Sequence, residues 1–167
     1  MNKPFISVVS PVYNAEGTLE TLVSELALYL TELTDNFEII LVDDYSSDHS
    51  WKLIEQLKGE HCEIVGVKLA KNHGQHKAIS AGLTYVKGDW IIVMDCDLQD
   101  KPSEIKKLFN YTLSNPESQV VFAERENRQD SFSKKITAKI IAFFLFTFYV
   151  NSKAESGFTS HNDDFIE

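Results

Sequence analysis

Trp90-Ile91-Ile92-Val93-Met94-Asp95-Cys96-Asp97-Leu98-Gln99-Asp100 is an apolar run that ends abruptly in three carboxylates and an amide. The first five residues read as a buried strand. Packing gives such a strand no reason to end in acids, because burying ionised carboxylates without partners is costly. Oxygen ligands at this density suit a hard divalent cation, Mg²⁺ or Mn²⁺, of the kind shared with substrate phosphates. A turn that only caps the following helix needs one acid, not three, and Asp100 suffices for that. On an extended segment Asp95 and Asp97 point to one face, Gln99 keeps their parity, and Cys96 turns the other way as a small buried filler.

The same design recurs upstream. Phe37-Glu38-Ile39-Ile40-Leu41-Val42 is a second apolar run, and it delivers Asp43-Asp44. Ionised carboxylates only accept hydrogen bonds, so this pair suits ribose hydroxyls or a base N–H, or else it caps the next helix. Around these runs, strand and helix patterns alternate. Strands are expected at 5–10, 37–42, 63–69, 90–94 and 119–123. Helices are expected at 18–33, from Ser47 or Asp48 through Leu57, at 75–86 with Gly88 as its stop, and from Pro102 to about Leu113. In the first helix Leu19, Leu22, Val23, Leu26 and Leu30 form one apolar stripe.

Such alternation implies α/β architecture with a mainly parallel sheet flanked by helices in three layers, α/β/α. Right-handed crossovers bring successive strand ends to one edge, and ligands of open α/β sheets bind outside those ends. Pro11-Val12-Tyr13-Asn14, Asp43-Asp44 and the 95–100 segment are therefore expected to converge. The polar loop Lys71-Asn72-His73-Gly74-Gln75-His76-Lys77-Ala78 enters a helix, where backbone N–H groups suit phosphate. Its two histidines read as packing or capping groups more readily than as ligands or bases.

The chain has 167 residues, a net charge of -9 and two cysteines, Cys62 and Cys96. That length suits a single domain with a sizeable core. The acidic balance argues against nucleic-acid partners, which require a basic footprint. Two thiols without metal spacing fit a reduced compartment, and with no signal peptide at Met1-Asn2-Lys3-Pro4 the expected location is cytoplasmic. Between Arg125 and Lys139 five basic residues face two acidic ones, a positive island suited to phosphate. The run 140–150 is apolar all round and rich in Phe. It is too short to span a bilayer, which takes roughly 20 apolar residues. It reads as core, as an interfacial helix or as a groove for a lipid tail, and the 134–150 stretch is the expected place for peripheral membrane contact.

These residues resemble the family-two glycosyltransferases of GT-A (Rossmann-like) fold, and most of all the branch that moves sugars onto polyprenyl or dolichyl phosphates. The carriers are the 9–14 segment, Val42-Asp43-Asp44-Tyr45-Ser46-Ser47-Asp48, the 72–78 loop, Ala81-Gly82-Leu83 with Gly88-Asp89, the 94–100 segment, Arg125 and Ser156-Gly157-Phe158. The resemblance implies one catalytic domain over 1–167, with a core at 5–125, a basic and apolar helix at about 131–150 and an acceptor-side loop at 151–167. It implies that Pro11, Tyr13, Asp44, Asp95 and Arg125 bind a nucleotide-diphosphate sugar, with Lys134 or Lys135 helping on phosphate. Asp95, Asp97 and Gln99 would hold Mn²⁺ or Mg²⁺, with Asp95 and Asp97 as the catalytic acids. The implied reaction is a metal-dependent, inverting transfer to a lipid-phosphate acceptor in cell-surface glycan synthesis, at the cytoplasmic face of the membrane.

The chain departs from that pattern at four places: Ala15-Glu16 after Asn14, Tyr45 in place of glycine, Cys96 in place of alanine, and Thr159-Ser160-His161-Asn162-Asp163-Asp164 where a basic residue is expected. The branch's anchor helices are missing, so the chain looks C-terminally shortened. A truncated nucleotide-binding domain without turnover stays open as an alternative, and so does a homo-oligomer. A nucleotidyltransferase is less well served, because the loop after the first strand has one glycine and no Lys or Arg.

Overall fold

The computed structural model describes residues 3–118 and 120–123. The strands are β1 (Ile6–Val12), β2 (Phe37–Asp43), β3 (Ile64–Lys68) and β4 (Trp90–Val93), and the helices are α1 (Leu19–Leu33), α2 (Ser50–Glu60), α3 (Gln75–Leu83) and α4 (Ile105–Ser114). All strand pairs are parallel, in the order β3-β2-β1-β4. β1 is buried along its whole length and β2 from its second residue onward. Such runs are covered on both faces, which is why they read as continuous apolar stretches instead of alternating ones.

The two faces carry different helices. Ile6, Val8 and Val12 of β1, with Ile39 and Leu41 of β2, pack against the α1 stripe, Ile54 and Leu57 of α2 and Ile105 of α4. Val9, Ile40 and Val42 point the other way and pack against Ala78 of α3. The expected α1 stripe of Leu19, Leu22, Val23, Leu26 and Leu30 is buried in full. Each such side chain contributes roughly 1.5–3 kcal/mol relative to exposure. The three-layer α/β/α arrangement thus follows from strand alternation and one helical stripe.

Several local expectations need correction. The run at Trp90 is half-buried, not buried, because among the described residues β4 pairs with β1 alone and forms an edge. The helix at Gln75 ends at Leu83, so Gly88 does not stop it. Gly88 is needed where the chain passes β1: a Cβ there would lie 2.6 Å from the Ser7 backbone nitrogen, and its N–H donates to Ser7 Oγ at 2.8 Å. Beside it, Glu38 accepts from Ser7 Oγ and from the Lys87 N–H, each at 2.7 Å, which satisfies a buried carboxylate. Lys101, not Asp100, holds the N-cap position of the 3-10 turn Pro102–Glu104 that precedes α4. Residues 120–123 are irregular where the sequence predicts a fifth strand. Arg125, Lys134, Lys135, Lys139, the 131–150 helix and the 151–167 loop lie outside the described residues.

Candidate functional site

β1 is flanked by β2 on one side and by β4 on the other, so the strand order reverses at β1. A crevice opens beyond the strand ends at such a switch point. The register pairs Val12 with Asp43 and Val9 with Val93, which brings the ends of β1, β2 and β4 to a common rim. The rim holds an open cleft of about 400 Å³ lined by Pro11, Val12, Tyr13, Asp44, Asn72, Gly74, Gln75, Asp95, Cys96 and Asp97. Pro11, Tyr13, Asp44, Asp95 and Asp97, the described residues expected on the nucleotide-sugar and catalytic side, all line it.

Asp44 is buried, yet its carboxylate faces the cleft. It accepts the backbone N–H groups of His73 at 2.7 Å and Gly74 at 2.8 Å. Each carboxylate oxygen keeps a lone pair for a ligand hydroxyl or N–H. Asp43 behaves differently: its side chain is fully buried and lies off the cleft lining. Burial pushes its pKa up, against the opposing pull of the Ser46 hydrogen bonds and the Lys68 charge. Of the two neighbouring acids, one serves the cleft and the other serves the loop beneath it.

The Asp95–Asp97 geometry also differs from the expected extended segment. The strand ends at Val93, residues 96 and 97 turn, and Leu98 adopts a left-handed backbone with φ 61°. The turn keeps both acids on the cleft but breaks the parity that would carry Gln99 with them. Gln99 lies outside the lining, and its backbone N–H donates to Asp97 Oδ1 at 2.9 Å. Cys96 packs against the core with its backbone carbonyl bound by Thr18 Oγ1 at 2.7 Å, yet it also lines the cleft. Burial, with the charges of Asp95 and Asp97 adding to it, pushes its thiol pKa up despite a hydrogen bond from the Tyr13 backbone. It therefore stays a neutral thiol, as a filler should.

Loops interlock to hold the Pro11 side of the cleft. Asn14, in a left-handed conformation with φ 51°, accepts the Ser47 N–H at 2.8 Å and donates its own N–H to Ser46 Oγ at 3.0 Å. Ala15 N–H reaches Ser50 Oγ at 2.8 Å, and Glu16 accepts the His49 N–H at 2.7 Å. Asp48 accepts the Ser50 N–H at 2.9 Å at the start of α2. Desolvation pushes the Asp48 pKa up, but its Ser50 and Glu16 hydrogen bonds outweigh it and the net shift is down. The Ala15-Glu16 and Tyr45 departures thus sit in a loop pair with its own hydrogen bonds, and Tyr13 and Tyr45 are both exposed beside it.

Asn72, Gly74 and Gln75 are cleft residues that the sequence marks only as a polar loop facing phosphate. Gln75 goes further, since its side-chain Nε2 donates to Asp95 Oδ1. No spacing rule reveals that contact, because it joins residues 20 apart on different loops. Among the described residues no group of three or more His, Cys, Asp or Glu side chains could hold a metal ion. Two carboxylates on one cleft nonetheless fit Mg²⁺ or Mn²⁺, which take one or two protein carboxylates and complete their shell with substrate phosphate and water.

Four parallel strands covered by helices on both faces, with an acid-lined cleft at the switch point, define an open α/β protein with a ligand site beyond its strand ends. The profile described as Glycosyl transferase family 2 matches residues 7–163, and the chain belongs to that family. It is 43% identical over 137 residues to the undecaprenyl-phosphate 4-deoxy-4-formamido-L-arabinose transferase of Aeromonas hydrophila. That match covers 81% of this chain and 41% of the relative, so the chain spans about two fifths of the relative's length. The fold is shared with S. aureus TarS solved with UDP-GlcNAc, at a TM-score of 0.57 and 24% identity over 80% of this chain and 38% of that one. It is also shared with a mannosyltransferase from Pyrobaculum calidifontis in complex with GDP-Man and Mn²⁺, at a TM-score of 0.52 and 21% identity over 58% of this chain and 28% of that one. Among the described residues no helix is long and apolar enough to cross a membrane.

Proposed function

We propose that this chain carries the donor-binding half of a metal-dependent, inverting glycosyltransferase that moves a sugar from a nucleotide-diphosphate sugar to a polyprenyl phosphate. The observation that carries the reading is the meeting of Pro11, Tyr13, Asp44, Asp95 and Asp97 on one cleft. Pro11 and Tyr13 would form the wall against the nucleoside, with Asp44 accepting from a ribose hydroxyl or a base N–H. Asp95 and Asp97 would hold Mn²⁺ or Mg²⁺ together with the diphosphate. When bound, such a cation supplies charge neutralisation at the leaving diphosphate. Arg125 would add a charge-assisted hydrogen bond to phosphate.

An inverting transfer needs the acceptor oxygen on the sugar face opposite the diphosphate. A hydroxyl acceptor also needs a general base within reach. The cleft's three carboxylates, Asp44, Asp95 and Asp97, are all engaged on the donor side in this arrangement. A phosphate acceptor arrives ionised and needs no base, which fits the lipid phosphate named for the Aeromonas relative. The lipid would place the reaction at the cytoplasmic face of a membrane, with the basic 134–150 stretch toward the surface.

Melting temperatures in the presence of UDP or GDP, with and without Mn²⁺ or Mg²⁺, test the donor half. A ligand that binds only the folded state raises the melting temperature. The reading expects one nucleoside diphosphate to give a rise that grows with the metal, and it expects the corresponding nucleotide sugar to release that diphosphate in the presence of undecaprenyl phosphate. Binding without release would support the alternative of a nucleotide-binding domain without turnover. No metal-enhanced shift with any nucleotide would remove the reading.

A further inference from the structure

The loop between β3 and α3 touches two of the three acids on the cleft, Asp44 and Asp95. Its backbone N–H groups at His73 and Gly74 hold the Asp44 carboxylate, and its next side chain, Gln75, donates to Asp95 Oδ1. Gln75 is the first residue of α3, and Gly74 before it has φ 86°. Asp95 lies just past the end of β4, where the chain begins to turn.

Resting on the glycosyltransferase reading above, we propose that Gln75 is a positioning residue: it fixes the rotation of the Asp95 carboxylate so that the remaining lone pairs face the cation and diphosphate. The amide suits this task. It donates one hydrogen bond and brings no charge of its own to compete with the cation. Outer partners that orient ligating carboxylates typically contribute 10–100-fold to metal affinity. Because the same short loop carries the Asp44 contacts, nucleoside and metal sites share one rigid support. The Gln75 side chain, unlike the backbone of the loop, is tied to Asp95.

The test uses the full chain and a Gln75→Leu variant, which keeps the approximate volume and removes the donor. Mn²⁺ affinity is read from the free-ion electron paramagnetic resonance signal in the presence of UDP or GDP, and metal-free nucleotide affinity is read by calorimetry. The expected result is Mn²⁺ affinity weakened about 10–100-fold with metal-free nucleotide affinity within about twofold. The melting temperature without ligand should stay near that of the parent chain. Unchanged Mn²⁺ affinity in the variant would overturn the positioning role while leaving the glycosyltransferase reading in place. Equal losses with and without metal would also overturn it, since Gln75 would then be a direct nucleotide contact or a support for the loop fold. Failure of the parent chain to bind Mn²⁺ with either nucleotide would sink the underlying reading and this inference together.

Discussion

The Asp44 carboxylate and the Gly74 backbone N–H, 30 residues apart in sequence, meet at 2.8 Å. That bond, with its twin from His73, ties the end of β2 to the start of α3 and leaves the outer lone pairs of Asp44 toward the cleft. An Asp44→Asn variant presents one oxygen and one NH₂ where two N–H donors converge. One donor is left unpaired in a buried place, at a cost of about 1–3 kcal/mol. Denaturant unfolding should show that loss. Calorimetry of Asp44→Ala should show weaker nucleotide binding, and equal affinity would mean that this acid does not face the nucleoside.

Gly74 has open space where a Cβ would go, so any penalty for Gly74→Ala comes from its backbone angle, φ 86°. With ψ at 155° this is a region essentially restricted to glycine, and a residue with a Cβ there costs about 1–3 kcal/mol. The melting temperature should fall, and nucleotide affinity should fall with it because the N–H aimed at Asp44 shifts. A variant that retains both would show that the loop tolerates another path.

Asp97 is exposed, and its one described tie is the turn bond from the Gln99 N–H. Asp97→Ala should therefore change stability by no more than about 0.5 kcal/mol. Metal-dependent release of nucleoside diphosphate should fall roughly 100-fold or more, the scale seen when one stabilising group is taken from a developing charge. Unaltered turnover would take Asp97 out of the mechanism.

Ser10 is fully buried in β1, and among the described residues its hydroxyl has no hydrogen-bond partner. Burying an unsatisfied hydroxyl is unfavourable. Ser10→Ala should be as stable as the parent or more stable by up to about 1 kcal/mol. A clear drop in the urea midpoint would indicate that the hydroxyl is satisfied in solution.

Asp43 titrates above the ordinary aspartate value of 3.8 because burial disfavours its charged form. The folded state then binds this proton more tightly than the unfolded chain does. The associated stability is fully present below pH 3.8 and is lost as pH rises through the raised pKa. Asn cannot ionise, so the stability of Asp43→Asn relative to the parent should improve with rising pH across that window and then level off. Paired melting curves between acidic and neutral pH provide the check, and a pH-independent difference would show that burial does not govern this group.

The strand and helix alternation, the buried stripe of α1 and the identity of the acids at 44, 95 and 97 were legible along the chain. Each is written in local periodicity or in an acid placed where a strand must end. The errors fall where a tertiary neighbour decides. β4 reads as buried from its apolar residues, yet it is half-buried because among the described residues it pairs on one side only. Gly88 reads as a helix stop, yet its role is to let the chain pass Ser7. Gln99 reads as sharing a face with Asp97, and the left-handed Leu98 cancels that parity.

By itself, the order of residues determined the elements and the chemical types at their ends, because both depend on contacts a few positions apart. Only the folded sheet decided that β4 lies beside β1, and hence that Asp95 and Asp97 share a cleft with Tyr13 and Asp44. It also decided that Asp43 turns inward and that Gln75 reaches Asp95. Those outcomes depend on strand order and on loops packed across the rim, and no periodicity in a linear chain encodes which distant loops will touch.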